Sequence, residues 1–169
     1  MSGAPPEAQL EDFLAKYTPE VAAEAVAALE RLRPQVPGAV EMVYDNYNAL
    51  VVGFGATERP SEAVLSIAVM PRWVTLCFLQ GATLPDPHGL LRGEGNVVRN
   101  LRLGSAADLD RPEVRELVAL AVARSKTPFD PAHPGRMVIK SISAKQRPRR
   151  PRDTSTEDPH TESAESTEC

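Results

Sequence analysis

The first forty residues place apolar side chains with the period of an α-helix. Apolar positions recur three and four residues apart over residues 10–17 and again over residues 21–32, which predicts two amphipathic helices. Between them, Thr18 and Pro19 are a typical helix start, a capping hydroxyl followed by proline in the first turn. Pro37 and Gly38 indicate the end of the helical part.

The pattern then changes to the alternation expected of β-strands. Predicted strands are Glu41–Tyr44, Ala49–Gly55, Ala63–Val69, Trp73–Leu79, Asn96–Leu103 and Met137–Ile142. A further helix, with a start resembling a capping box at Asp110-x-x-Glu113, precedes the last strand. We therefore expect an α+β fold in which a curved antiparallel sheet of five or six strands is covered on one face by the N-terminal and C-terminal helices.

Composition divides the 169 residues into a domain, 1–144, and a tail, 145–169. The tail begins with a basic block, Lys145–Arg152, and continues with an acidic stretch rich in Ser, Thr and Glu. Since it lacks an apolar period, we expect it to be disordered and to contribute few contacts. The net charge of −4 makes nucleic acid an improbable partner, except weakly through the basic block.

No basic segment followed by an apolar stretch opens the chain, and no apolar run approaches the length of a membrane helix. The two cysteines, Cys77 and Cys169, are too few for a disulfide framework, and no C-x-x-C motif occurs. These features predict a cytoplasmic protein without a membrane partner.

Catalytic motifs are missing from the sequence. The Gly93-x-Gly95 pair lacks the third glycine and the following helix of a dinucleotide fingerprint, and no G-x-S-x-G or H-E-x-x-H occurs. The three histidines follow Asp-Pro pairs that are typical of turns. We expect a protein that is not an enzyme and has no resident cofactor.

Arginine and aromatic side chains near the predicted open face suggest an anion-binding groove. Arg99 shares the apolar side of its strand, where a charge needs a partner, and either a helix carboxylate or a ligand could supply one. The candidate ligand-binding residues are Tyr44, Tyr47, Trp73, Arg92, Asn96, Arg99 and Arg102. Arginine would bind an anion in a bidentate manner, and the aromatic rings would add stacking area.

Carboxylates on the first two helices are the candidate metal ligands. These are Glu7, Glu11, Glu20 and Glu24, of which the last two lie one helical turn apart. Such a cluster could hold a hard cation weakly, although a solvated helix face has the same pattern.

One long segment resembles a known family. The stretch 81–95, which reads GATLPDPHGLLRGEG, runs into Val98-Arg99-Asn100-Leu101-Arg102 and, with Tyr44-Asp45-Asn46-Tyr47, resembles the YdhG-like domain family. The resemblance covers about residues 10–150 and implies an α+β fold with a curved sheet under helices. Because some members of the broader group are described as frataxin-like iron chaperones, it also implies iron as a possible cargo.

Two functions follow as expectations. The first is a non-enzymatic module that binds a small anionic ligand or a protein segment on the open sheet face. The alternative is an iron chaperone that uses the helix carboxylates.

Overall fold

In a computed structural model, residues 4–151 are described. These residues form three α-helices and six strands. In chain order the elements are α1 Pro6–Leu14, α2 Pro19–Leu32, β1 Val40–Asp45, β2 Leu50–Gly55, β3 Ala63–Val69, β4 Val74–Phe78, β5 Arg99–Leu103, α3 Pro112–Ala123 and β6 Arg136–Ile142. Within this range no helix combines the length and the apolar composition needed to cross a bilayer.

The strands form one open sheet in the order β5-β4-β3-β2-β1-β6. Neighbours pair in antiparallel fashion from β1 to β5, which confirms the predicted α+β fold. One pair differs from the prediction, because β6 lies parallel to β1 and makes the sheet mixed. The chain reaches β6 after α3, and such a long connection permits a parallel pairing that a short turn does not.

The two faces of the sheet differ in what covers them. Leu65, Ile67 and Val69 of β3 belong to the main apolar core, together with buried side chains of all three α-helices. We call this side the first face. A smaller apolar cluster lies on the opposite side, the second face, and consists of Ala49, Ala68, Met70, Trp73 and Cys77. The alternation predicted for β3 and β4 therefore separates the two faces as expected.

The sequence predicted the N-cap of α2 correctly but not that of α3. The Thr18 hydroxyl accepts a hydrogen bond from the Val21 amide at 3.3 Å, as predicted for α2. For α3 the capping prediction is wrong: the residue before the helix is Arg111, with no side-chain cap, and the Asp110 carboxylate pairs with Arg31 instead. An ion pair to a neighbouring helix has taken the place of the local cap.

Tyr17 joins the α1–α2 connection to two strands. Its side chain is 1% exposed. The hydroxyl donates to the carbonyl oxygen of Val69 at 2.8 Å and accepts from the amide of Leu50 at 3.1 Å. One buried hydroxyl thus satisfies two backbone groups at the ends of β2 and β3.

The chain after β6 returns to the end of β1, which differs from the tail boundary predicted at residue 145. Arg149 is 5% exposed and donates to the Asp45 carboxylate at 2.9 Å and to the Asn46 carbonyl oxygen. Lys16 contacts the other Asp45 oxygen at 2.6 Å. We call this arrangement the Asp45 corner. It makes residues 145–151 part of the domain, while residues 152–169 lie outside the described residues.

Acid should weaken the Asp45 corner. Burial raises the pKa of Asp45, but hydrogen bonds from Lys16, Gln146 and Arg149 outweigh it and hold the pKa below its ordinary value. The folded state therefore binds fewer protons than the unfolded state, and the stabilisation is lost as the pH falls through the folded pKa.

We expect the free energy of unfolding to decrease as the pH falls from about 5 to about 3. Asp45→Asn, which removes the titrating group, should show a shallower decrease over that interval. Urea unfolding at a series of pH values measures both slopes. Equal slopes in the two proteins would assign the acid sensitivity to other carboxylates.

Candidate functional site

Strand register places small side chains at the centre of the second face. Two cross-strand rows run from β1 to β5. The upper row is Tyr44, Val51, Ala68, Thr75 and Arg102, and the lower row is Met42, Gly53, Ser66, Cys77 and Asn100. Residues paired in this way share a face and lie about 5 Å apart. Small residues of β2, β3 and β4, nearly all of them buried, therefore form a floor between larger residues on β1 and β5. We call this strip of the second face the trough.

The wall of the trough on the β4–β5 side is a stacked pair. The Arg102 guanidinium carbon lies 3.7 Å from the centre of the Trp73 ring, within the range of a cation–π interaction. Trp73 is 7% exposed and Arg102 is exposed. The contact places the guanidinium over the ring, and its N–H donors lie at the exposed edge of the trough.

The opposite wall is formed by β1. Tyr44 is half-buried, and its hydroxyl lies 4.0 Å from the sulfur of Met42. Burial raises the pKa of the Tyr44 phenol above its ordinary value, so the group stays protonated at neutral pH and can donate a hydrogen bond. About 19 Å separates β1 from β5 at the usual strand spacing.

One polar group on the floor lacks a partner. Ser66 is 2% exposed, and its hydroxyl makes no hydrogen bond within the described structure. An unsatisfied buried hydroxyl costs about 1–3 kcal/mol.

The structure brings together some of the predicted ligand-binding residues and separates others. Tyr44, Trp73 and Arg102 lie on the second face, as the rows above show. Arg92 forms an antiparallel bridge with Asn100 and so extends the second face beyond β5, although its guanidinium donates to the carbonyl oxygen of Gly89 at 2.8 Å.

Arg99 and Asn96 do not face the trough. Arg99 pairs with Phe78 of the first face, and its guanidinium donates to the carbonyl oxygens of Gly95 and Val98. The Arg99 guanidinium is thus paired with backbone oxygens, and not with the helix carboxylate or the ligand that the sequence analysis expected. Asn96 is exposed in the loop before β5.

Tyr47 lies at the end of the trough. It belongs to the turn between β1 and β2 and is 52% exposed. A cavity of about 350 Å³ beside it is lined by Asn46, Tyr47, Asn48, Ala49, Val51 and Ser143. Since Val51 also belongs to the floor, this polar cavity continues the trough at its upper end.

The candidate metal ligands are not gathered into one site. Glu7, Glu11 and Glu20 are exposed, whereas Glu24 accepts a hydrogen bond from the Ala106 amide and so connects α2 to the segment before α3. Among residues 4–151 no group of three or more His, Cys, Asp or Glu side chains is placed to hold a metal ion. The iron prediction gains no support from this geometry.

The sequence analysis did not identify the floor residues as part of the candidate site. The alternation pattern could have indicated them, because Gly53, Ser66 and Ala68 occupy positions between large apolar residues of β2 and β3. Small residues on one side of neighbouring strands mark a depression once the register is known.

Comparison of the chain with protein-family models, with curated proteins and with solved structures gave no match. The YdhG-like resemblance therefore stays a prediction that rests on the motifs quoted above.

Proposed function

We propose that this protein is a non-enzymatic binding module whose trough holds an acidic, extended protein segment. The observation that carries the proposal is the Trp73–Arg102 pair, which places an exposed, oriented guanidinium beside a floor of small side chains. Arginine in a fixed plane binds carboxylates in a bidentate manner.

The charge of the second face supports an acidic ligand. Arg102 and Arg92 lie on its β5 side, and the described strand residues facing the trough include no carboxylate. The two acidic residues of β1 belong to the first face, where Glu41 pairs with Arg33 and Asp45 with Lys16. An acidic segment would therefore meet attraction without a facing like charge.

The shape of the trough supports an extended segment. The floor spans three strands and is made of side chains no larger than valine. A segment of about five or six residues would cover the roughly 19 Å between the walls.

Poly-L-glutamate of about 20 residues, labelled with fluorescein, is a suitable probe for this proposal. We expect the full chain to bind it at low salt, and Arg102→Ala to weaken binding about five- to tenfold, equivalent to about 1–1.4 kcal/mol. Fluorescence anisotropy measures the affinity. Arg31→Ala is the matched control, because it removes the same charge from an exposed residue of α2.

Equal losses in the two variants would mean that the probe senses net charge alone, and would overturn the proposal. If free citrate bound with the same dependence on Arg102 while the polymer did not, the ligand would be a small anion. The iron chaperone remains the alternative prediction, and no observation in the described structure favours it.

A further inference from the structure

The two edges of the sheet differ in how their outward backbone groups are used. At the β5 edge, Asn100 and Arg92 exchange two backbone hydrogen bonds, of 2.8 and 2.9 Å, and the Gly104 amide donates to the Asp108 carboxylate at 2.8 Å. At the other edge, β6 is the last strand of the sheet and has seven residues. Among residues 4–151 the chain therefore covers the β5 edge but places no strand beside the β6 edge.

The hydrogen bonds of β1 show which of its backbone groups point to β6. The carbonyl oxygen of Asp45 accepts a hydrogen bond from the amide of Ser143, the residue just after β6, so it points to that strand. Because backbone groups alternate between the two sides of a strand, those of Glu41 and Val43 point to β6 as well.

The partners of these two residues identify the outward-facing part of β6. The parallel register pairs Glu41 with Met137 and Val43 with Ile139. In a parallel pair each residue bonds to the two neighbours of its partner, so Val138 completes the ladder with both. Met137 and Ile139 then point their amides and carbonyl oxygens away from β1. No hydrogen bond within the described part of the chain reaches these outward groups.

Two cations flank this segment of β6. Arg136 forms an ion pair with Glu58, and the Lys140 ammonium donates to the backbone carbonyl oxygen of Glu58 at 3.2 Å. Both side chains therefore reach the same side of the sheet, and β6 itself has no acidic residue. The side chains of Arg136 and Glu58 are 52% and 44% exposed. Since a guanidinium and an ammonium each have several N–H donors, both cations can bind a further carboxylate from outside.

We propose that the outer edge of β6 adds an extended, acidic strand from a partner protein in antiparallel orientation, the more stable kind of strand pair. The added strand exchanges backbone hydrogen bonds with Met137 and Ile139, as in other recognition by β-strand addition. Its carboxylates lie opposite Arg136 and Lys140, four positions apart, with an apolar residue opposite Val138 between them. This surface is separate from the trough, so the inference does not depend on the proposed function.

Charge favours an acidic partner over a second copy of this chain. The antiparallel register that joins the outward groups of two copies places Met137 of one opposite Ile139 of the other. The same register places Arg136 of each copy opposite Lys140 of the other, and like charges directly opposite destabilise a strand pair. Cations on an edge strand are a common protection against self-pairing, and an acidic strand turns the same charges into attraction.

A fluorescein-labelled peptide of sequence TETVTET is the probe, because its glutamates stand four positions apart around a central valine. We expect the full chain to bind it at low salt, measured by fluorescence anisotropy. N-methyl groups on the two threonines beside the valine remove the amides that face β6, and should weaken binding about tenfold or more. N-methyl groups on the two glutamates, whose amides face away from β6, are the matched control and should leave the affinity unchanged.

Variants of the protein test the charges. Arg136→Gln combined with Lys140→Gln should weaken binding of the unmodified peptide about fivefold or more. Arg31→Gln combined with Arg115→Gln is the control, because it removes the same charge from exposed positions of α2 and α3. Arg102→Ala should leave the affinity for this peptide unchanged, since Arg102 lies on β5 at the opposite edge of the sheet.

Hydrogen exchange of single amides, followed by NMR, reports directly on the strand pairing. In the free protein, the amides of Met137 and Ile139 should exchange about tenfold or more faster than that of Val138, which bonds to β1. Saturation with the peptide should slow both outward amides about tenfold or more and leave Val138 unchanged.

Equal affinities for the two N-methylated peptides, or equal losses in the two charge variants, would overturn the proposal. So would failure of the unmodified peptide to protect Met137 and Ile139. Protection of these amides that rises with protein concentration alone, together with dimers in analytical ultracentrifugation, would make the occupant a second copy and overturn the acidic partner. None of these outcomes decides the Arg102-dependent binding of poly-L-glutamate, which tests the trough separately.

Discussion

Replacing Arg149 with alanine is expected to lower the free energy of unfolding by about 3 kcal/mol. Arg149 and Asp45 are both buried, with side-chain exposures of 3% and 0%. Loss of one partner of a buried ion pair leaves the other charge without compensation, which costs about 3–5 kcal/mol. We expect the lower end of that range because Lys16 still contacts the carboxylate. Urea unfolding at neutral pH measures the change.

Arg150→Ala is the control for this prediction. Arg150 neighbours Arg149 in the chain but is exposed, and its guanidinium contacts the backbone oxygens of Lys16 and Ala15. Its replacement should cost less than about 1 kcal/mol. Similar losses in free energy of unfolding in both variants would contradict this prediction. They would show that the buried ion pair contributes no more to stability than the exposed contacts of Arg150.

Replacing Tyr17 with phenylalanine is expected to lower the free energy of unfolding by about 2 kcal/mol. The ring would keep its packing, but the amide of Leu50 would lose its acceptor and the carbonyl of Val69 would lose this donor. Buried polar groups left without partners each cost about 1–3 kcal/mol. Thermal or urea unfolding gives the size of the effect.

Tyr47→Phe removes the same atom from an exposed ring and should change stability by less than about 0.5 kcal/mol. A loss at Tyr17 as small as that at Tyr47 would mean that water satisfies the two backbone groups in the variant.

The sequence predicted the local elements well because their signals are local. The period of apolar residues identified α1 and α2, and the bounds of β3 were predicted without error. The alternation in β4 correctly placed Trp73 and Thr75 on the side opposite to Leu76. The parallel pairing of β6 with β1 was not predictable in this way, since neither strand carries a local mark of its partner.

The candidate site was predicted in part. Trp73, Tyr44 and Arg102 share the second face because side-chain parity follows from the strand pattern. Arg99 was assigned to the same groove, but a loop carbonyl oxygen satisfies it on the other side of the sheet. The depression itself depends on which small residues become cross-strand neighbours, and that is a property of the register.

The contacts of the segment after β6 could not be predicted for a related reason. Residues 145–151 have the composition of a solvated segment, and composition cannot show that Arg149 meets a carboxylate at position 45. The burial of Arg149 depends on a partner 104 positions earlier in the chain.

The parallel pairing of β1 and β6 has a consequence for synthesis on the ribosome. Strands β1 to β4 follow one another closely and can pair as soon as they have emerged. The outer side of β1, however, pairs with β6, whose first residue is Arg136. Until that strand leaves the exit tunnel, the nascent protein presents an unpaired strand edge, the kind of surface that invites association between chains. Slow translation before residue 136 would lengthen the interval in which that edge stays unpaired.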